Sequence, residues 1–438
     1  MSTSLIVAYV LPIVAIFAAY IVVVRRREAR AIRAAEEAIA ASMTEPPTLH
    51  PNIDPNKCIG CGSCVAACPE QYAHTVLGMI RRKAWLVGPS NCIGHGACKT
   101  ACPEDAIELV FGTATRGIDI PVVEPNFETN VPGLFIAGEL GGMGLIRNAV
   151  EQGRQAIDSI KASSVRTNGA AHDLVIVGAG PAGIAASLGA KQAGLDFVTV
   201  EQDSLGGTVA HFPRGKLVMT RPAELPIVGK MQFTETSKEK LLEFWQGIVD
   251  ETGLDINFNE RVTGIERNAD SGAFEVRTAN DSYSARSVLL AIGRRGTPRQ
   301  LGVPGEELSK VVYRLIDPEQ YRGMHVLVVG GGDSALEAAH SIAEQPGATV
   351  TLSYRSPAFT RAKPKNREKV EQLQAAGQLT VMLSSNVREI RNDSVVVEHD
   401  GESTTIPNQG VIICAGGILP TGFLKDIGVT VETKHGTA

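Results

Sequence analysis

The sequence predicts an α/β protein: two doubly wound units, a small cysteine-rich α+β module and one apolar helix at the N-terminus. Three observations predict it. An apolar strand runs into a glycine-rich turn and then a helical pattern twice, near residues 172–192 and 326–338. Two cysteine runs of nearly the same spacing occupy residues 58–68 and 92–102. Twenty residues without a charge, 5–24, precede Arg25, Arg26 and Arg27.

Composition narrows the class. A chain of 438 residues holds about three domains at roughly 150 residues each. With 45 glycines, 44% apolar and 5% aromatic residues, it reads as an aliphatic α/β protein and not as a disordered one. The net charge is −5 and no long basic run follows the N-terminal arginines, which argues against a nucleic-acid partner. Seven of the eight cysteines lie in the two runs. Their C-x2-C spacings favour metal over a disulfide scaffold, and thiolates of this kind suit a reducing cytosol. Cys414, alone in the apolar run Val411-Ile-Ile-Cys414-Ala, reads as a buried strand thiol.

Residues 5–24 are long enough to cross a hydrocarbon core of about 30 Å, with Tyr9 and Tyr20 towards the interfaces. A secretory signal needs a basic n-region and a shorter apolar stretch; residues 1–4 carry no basic side chain. The arginines after the run place the remaining chain in the cytoplasm by the positive-inside rule. The expectation is a single-pass anchor over 1–27 in the inner (cytoplasmic) membrane, with the soluble part cytoplasmic. An Ala-rich helical linker over 28–49 ends at Glu45-Pro46-Pro47.

The first run, Cys58, Cys61, Cys64, Cys68 and then Pro69, has the C-x2-C-x2-C-x3-C-P spacing that wraps an iron–sulfur cubane. The second repeats it as Cys92, His95, Cys98, Cys102 and Pro103. Zinc prefers two ligand pairs to runs of four. Residues 50–112 resemble a bacterial two-cluster ferredoxin. The resemblance implies that the fourth cysteine of each run serves the other cluster. One [4Fe-4S] cluster would then use Cys58, Cys61, Cys64 and Cys102. The other would use Cys92, Cys98 and Cys68, with His95 at the substituted corner. Three readings of His95 stay open: a ligand to a fourth iron that raises the potential, a bystander to a [3Fe-4S] cluster, or a bystander to a [4Fe-4S] cluster capped from outside.

The strand at 172–177 leads into Gly178-Ala-Gly180-Pro181-Ala182-Gly183 and a helix. This is the Rossmann-like dinucleotide fingerprint in its confirming context. Gly178 makes the turn, Gly180 lets the backbone approach a pyrophosphate, and Gly183 allows helix and strand to pack closely. Glu201 ends the next strand, where an acid binds a ribose hydroxyl. The second copy is Gly330-Gly-Gly332-Asp333-Ser334-Ala335. Its next strand ends in Tyr354-Arg355, with Arg361 and Lys363 following; arginine there suits the 2′-phosphate of NADP, whereas an acid suits NAD. NADPH is the expected nucleotide, with NADH the alternative.

The strands at 287–293 and 411–417 look like domain-crossing strands of two-dinucleotide reductases. With both turns, residues 170–425 resemble the thioredoxin-reductase-like flavoproteins of the pyridine nucleotide-disulfide oxidoreductase superfamily, ferredoxin–NADP reductases in particular. The resemblance implies an FAD domain over 170–305, an NAD(P) domain over 306–425 and a tail over 426–438. It also implies that Gly138, Glu139, Asn148, Ala149, Gly207, Thr208, Val262, Ala291, Gly293 and Gly416 join the glycine turns in holding the nucleotides. Bacillithiol disulfide reductases are suggested by the stretch at 206–213, but they place a cysteine in the first glycine turn, and none is present here. Such reductases end with a pro–gly–leu–phe–x–x–ala–gly–asp strand and helix. Here that piece stands upstream, at Val131-Pro-Gly133-Leu-Phe-Ile-Ala-Gly138-Glu139, so residues 113–165 read as the displaced end of a circularly permuted FAD domain.

The function expected is an NAD(P)H-dependent oxidoreductase passing electrons from NADPH through FAD to two clusters. The acceptor is unidentified: a membrane redox protein, a quinone or a soluble ferredoxin, with the reverse flow equally open. No catalytic acid–base side chain is assigned. The rival reading is a membrane-tethered redox sensor with little turnover. Disulfide reduction lacks a cysteine nucleophile, and a homodimer is implied by resemblance alone.

Overall fold

The computed structural model of the chain describes residues 3–41, 43, 44, 46, 49–72, 75–92, 94, 96–112, 117–141, 145–163, 169–220 and 222–436; for residues 3–10, 72 and 219 the side chains are not described. His95 lies outside the described residues.

One uninterrupted helix, Thr3–Ala40, takes in the apolar run and most of the helical linker expected after it. Pro12 is tolerated within it. Among the described residues no helix is long and apolar enough to cross a membrane. The spanning segment expected over 5–24 therefore has no support from the structure.

The cysteine-rich module is built twice over. His50–Ile53 pairs antiparallel with Ile107–Val110, and Leu77–Ile80 with Lys83–Leu86. Each cysteine triple enters a one-turn helix, Ser63–Ala67 or Ala97–Thr100, through a left-handed glycine, Gly62 or Gly96 (φ 76° and 80°). A side chain disfavours that conformation.

The first doubly wound unit centres on a seven-stranded sheet. Its middle strand, Ser282–Leu290, pairs in parallel with His172–Val177, which pairs with Phe197–Glu201. The far half of Ser282–Leu290 also pairs with Leu134–Ile136, in the register Leu134↔Val288. Leu134 and Ile136 share one buried core with Val175, Val177, Val288 and Leu290. A lone αβ unit could not bury such a strand, and this sheet supplies its cover. The helix Ile146–Ala162 then lies on the helix Pro181–Ala193. Gly153 makes the approach possible, because a Cβ there would stand 2.1 Å from the Ala182 carbonyl oxygen.

The second unit is a five-stranded parallel sheet, with His325–Val329 between Gly410–Ile413 and Thr349–Ser353. The two crossing strands meet, Thr297–Pro298 against Gly417–Ile418. The chain end is not a loose tail. Val431–His435 pairs antiparallel with Gly117–Pro121, and Asn130 exchanges hydrogen bonds with Gly428 and Thr430 (2.9 and 2.8 Å).

Candidate functional site

The two cysteine runs fold so that their members interleave. Cys58, Cys61, Cys64 and Cys102 line one cavity, closed by Ile53, Ala84, Ala106 and Ile107. Cys68, Cys92 and Cys98 line the other, with Val76, Leu77 and Leu109. Both cavities are partly open to solvent. All the cysteines are free thiols. Four cysteines round one cavity and three round the other are sulfur donor sets that suit a multi-iron group; among the described residues no three His, Cys, Asp or Glu side chains are placed to hold a single metal ion.

Burial raises the Cys64 and Cys98 thiols to about 11, against backbone N–H groups of Val65 and Lys99 that favour the thiolates. Burial also raises Cys92 and Cys68. Cys61 alone is lowered, by hydrogen bonds from the Ser63 side chain and backbone. The Ala106 N–H donates to Cys102 Sγ at 3.3 Å. Iron would therefore displace protons from most of these sulfurs as it binds. The residues present fit such a group, and N–H groups already aim at the sulfurs that would carry its charge.

The first glycine turn is a cradle in which side chains have no room. A Cβ on Gly183 would lie 1.7 Å from the Gly178 oxygen, and one on Gly178 2.6 Å from the Ala291 oxygen. Gly180 and Gly207 face each other across the turn, and Gly293 faces Thr208. The displaced segment reaches the same place. Gly138 (φ 87°) abuts Ala182 and Ala149, and its N–H donates to Gln152 Oε1 at 2.8 Å. Glu139 is raised by burial, with Arg294 opposing. Asn148 is half-buried beside Ala149. Glu201 accepts from the Ala179 N–H at 2.7 Å and the Asp203 N–H at 3.0 Å, so it ties the turn to its strand while burial raises its pKa. Pro181 and Ala182 start the helix whose N-terminus faces the cradle. Val262 sits farther off, at the start of Val262–Arg267 and packed on the sheet core.

The second turn repeats the geometry. A Cβ on Gly330 would meet the Cys414 oxygen at 2.3 Å; Ala335 is fully buried, and Ser334 is exposed at the helix start. Asp333 is already engaged, accepting from the Lys363 N–H (2.7 Å) and Asn366 Nδ2 (2.8 Å). Arg361 bridges to Gly332 through backbone, and Arg355 and Arg361 are both exposed. Gly416, with φ 84°, accepts from the Arg299 N–H. Cys414 lies one residue past the strand Gly410–Ile413 and is half-buried, not the fully buried strand thiol expected; desolvation pushes its thiol to about 12.

Several residues were not foreseen from sequence. Tyr354 stacks on Phe359 and closes over Gly331, where a Cβ would stand 2.3 Å from its ring. Lys216 pairs with Glu337 across the two units. Arg367, buried in the helix Pro364–Ala375, donates to Asn91 Oδ1 at 2.6 Å, so the second cysteine loop is tied to the second unit. The Lys216–Glu337 and Arg367–Asn91 contacts lie in no motif and depend on long-range packing; for Tyr354, which ends the strand after the second turn, only its stacking was unforeseen.

His211, one turn beyond Thr208, is driven down to about 4 by burial first, then by Arg314 and Arg295, with Asp203 at 3.2 Å opposing. Its unfolded value is near 6.5. The unfolded state thus binds more protons between about pH 6.5 and 4, so this group's contribution to stability is present above that window and is lost as pH falls through it. His211→Gln should flatten the fall in Tm below pH 6.5; an unchanged slope would count against this assignment.

Comparison with known proteins follows this geometry. Residues 175–437 match the family described as pyridine nucleotide-disulphide oxidoreductase, and residues 50–103 match a 4Fe-4S dicluster domain. The chain is 29% identical over 270 residues to a ferredoxin–NADP reductase of Ignicoccus hospitalis, covering 60% of this chain and 83% of that one. It is 30% identical over 274 residues to a ferredoxin–NADP reductase of Thermus thermophilus (59% and 77% covered), and 27% identical over 267 residues to bacilliredoxin reductase Bdr of Bacillus subtilis (60% and 82%). Among solved structures, bacillithiol disulfide reductase Bdr (YpdA) of Staphylococcus aureus aligns with a TM-score of 0.52 at 25% identity, over 59% of this chain and 80% of that one. The chain belongs to the pyridine nucleotide-disulphide oxidoreductase family and is an NAD(P)H-dependent flavoprotein oxidoreductase carrying a 4Fe-4S dicluster domain.

Proposed function

We propose that the protein moves electrons between NADPH and an external redox partner through FAD and two built-in iron–sulfur clusters. The observation that carries this reading is the Arg367–Asn91 hydrogen bond. It fastens the loop that supplies Cys92 to the nucleotide-binding unit, so electron transfer becomes intramolecular and proximity replaces docking. The flavin, when bound, accepts a hydride and releases electrons singly. The chain's own residues hold and orient it: Gly178, Gly180, Gly183 and Gly207 leave backbone room, and Glu201 fixes the turn.

The domain division stated above belongs to the same proposal, as does the circular permutation of the FAD domain. Its support is the place of Leu134–Ile136 in the sheet and the contact of Asn130 with the chain end at Gly428 and Thr430. Membrane tethering by the N-terminal helix and a cytoplasmic soluble part are likewise proposed. Their support is the uncharged run at 5–24, the arginines after it, and exposed apolar side chains such as Leu11, Ile16 and Phe17. The direction of flow follows the partner: a ferredoxin, quinone or membrane redox protein. His95 is proposed to tune the second cluster.

Relatives named bacilliredoxin reductase and thioredoxin reductase favour a second reading, disulfide reduction. Cys414 does not serve it well, since desolvation raises its thiol to about 12. Anaerobic protein should contain flavin, iron and sulfide, bleach on adding NADPH, and then develop cluster EPR signals. Flavin that neither NADPH nor NADH reduces would overturn the reductase. Turnover of a disulfide substrate by a variant without clusters would establish the second reading.

The nucleotide preference has its own test. Arg355→Ala with Arg361→Ala should raise KM for NADPH about 10- to 100-fold, the worth of one or two charge-assisted hydrogen bonds, and leave NADH unchanged. Equal losses for both nucleotides would mean that the arginines do not read the 2′-phosphate.

A further inference from the structure

The hairpin Leu77–Ile80 to Lys83–Leu86 closes through two residues, Arg81 and Arg82, with Ile80 paired to Lys83. Both have positive φ, 49° and 61°. Two-residue turns of this hand favour Asn-Gly because a side chain pays a steric penalty there. Two arginines are a poor structural choice, and both are exposed. Strain of this kind points to a role outside folding.

The turn is held at a particular height. The Arg81 N–H donates to Glu28 Oε1 at 2.7 Å, and Gly78 leaves room for Ala31, whose methyl would stand 2.4 Å from a Cβ there. Glu28 is four residues beyond Val24, about 6 Å along the helix. Each headgroup layer is about 5–8 Å thick. Arg81 and Arg82 therefore lie level with Arg25, Arg26, Arg27 and Arg30, just past exposed apolar side chains from Leu11 to Val24. Among the described residues none of these six guanidinium groups is in an ion pair, although the chain's net charge is −5.

The same hairpin carries the first cysteine loop. Lys83 Nζ donates to the Cys58 carbonyl at 2.6 Å, and Gly60 lies against the Arg82 carbonyl, where a Cβ would stand 2.1 Å away. The second cysteine loop is fastened elsewhere, to Arg367.

We infer that the Arg81–Arg82 turn and the arginines of the N-terminal helix form one docking surface for an anionic lipid bilayer, which holds the Cys58–Cys64 loop at the headgroup layer. The inference deepens the proposed tethering and rests on it. The occupant is argued from charge complementarity and from the apolar helix that continues the surface; a second copy of the chain is the competing occupant.

The test uses the full chain with phosphatidylcholine vesicles, with or without phosphatidylglycerol. Flotation reads tethering, and arginine-selective labelling with mass spectrometry reads the surface. Labelling of Arg81 and Arg82 should fall several-fold on anionic vesicles relative to neutral ones, with Arg355 unchanged. Arg81→Asn with Arg82→Gly suits the turn, so it should fold at least as well. It should nonetheless lose about tenfold or more in binding to anionic vesicles at low salt, since each basic residue near such a surface is worth about fivefold. Flotation with unchanged labelling overturns the docking surface and leaves the tether standing. A chain that floats with neither vesicle overturns both, and one that self-associates through Arg81 and Arg82 without lipid overturns the docking surface alone.

Discussion

Gly153→Ala is expected to strip the protein of flavin and to lower its Tm by about 2–12 °C. The new Cβ would stand 2.1 Å from the Ala182 carbonyl oxygen and 2.9 Å from its carbon. Both are backbone atoms of the helix that opens at the first glycine turn, so no rotamer change relieves the contact. Overpacking of this kind costs about 1–3 kcal/mol or more, and each kcal/mol is worth about 2–4 °C in a domain of this size. The two helices must separate, and the turn beneath them moves with Ala182. Gly247→Ala is the control. It makes the same change inside the helix Lys238–Thr252, with nothing within 4 Å of the new methyl, and should stabilise by about 0.5–1 kcal/mol. Gly153 lies outside residues 175–437, the stretch that matches the family. Loss of flavin would show that the upstream segment is part of the flavin-binding unit. A Gly153→Ala protein with full flavin and an unchanged Tm would refute that assignment.

Cys102→Ser is expected to remove the first cluster and spare the second, although Cys102 belongs to the second run. Its thiol lines the cavity of Cys58, Cys61 and Cys64. Cys68→Ser should do the reverse, because Cys68 lines the cavity of Cys92 and Cys98. Each variant should lose about half of its iron and sulfide, the share of one cluster in two. Reduction of flavin by NADPH should persist in both, since neither cysteine touches a glycine turn. Iron analysis and EPR of the reduced variants decide the matter. If Cys102→Ser and Cys92→Ser extinguish the same signals, the crosswise pairing is wrong.

Both experiments concern features unequally visible in the sequence. The glycine turns were legible because their chemistry is local. A strand, a left-handed or unobstructed glycine and a helix N-terminus follow one another within about twelve residues, and the strands at 172–177 and 349–353 were placed to the residue. The cysteine spacing was legible for the same reason. The displaced strand was recognisable as a motif, yet its pairing with Val288–Leu290 depends on a sheet assembled from distant segments. From its sequence, the stretch 426–438 reads as a tail. Its partner, Gly117–Pro121, lies about three hundred residues away, and no period in residues 431–435 announces it. The charged, alanine-rich stretch after residue 27 propagates a helix as readily as an apolar one, and the helix expected there runs unbroken to Ala40.

Short-range spacing is enough to specify what the protein can hold, two nucleotide turns and the thiols for two clusters, because each ligand set is written within a few residues. How these are joined emerges only on folding. It tied Asn91 to Arg367, set Gly153 against Ala182 and raised Arg81 and Arg82 beside Glu28. Those relations depend on which surfaces are buried against which. Burial is a property of the whole chain, and it leaves no local pattern to read.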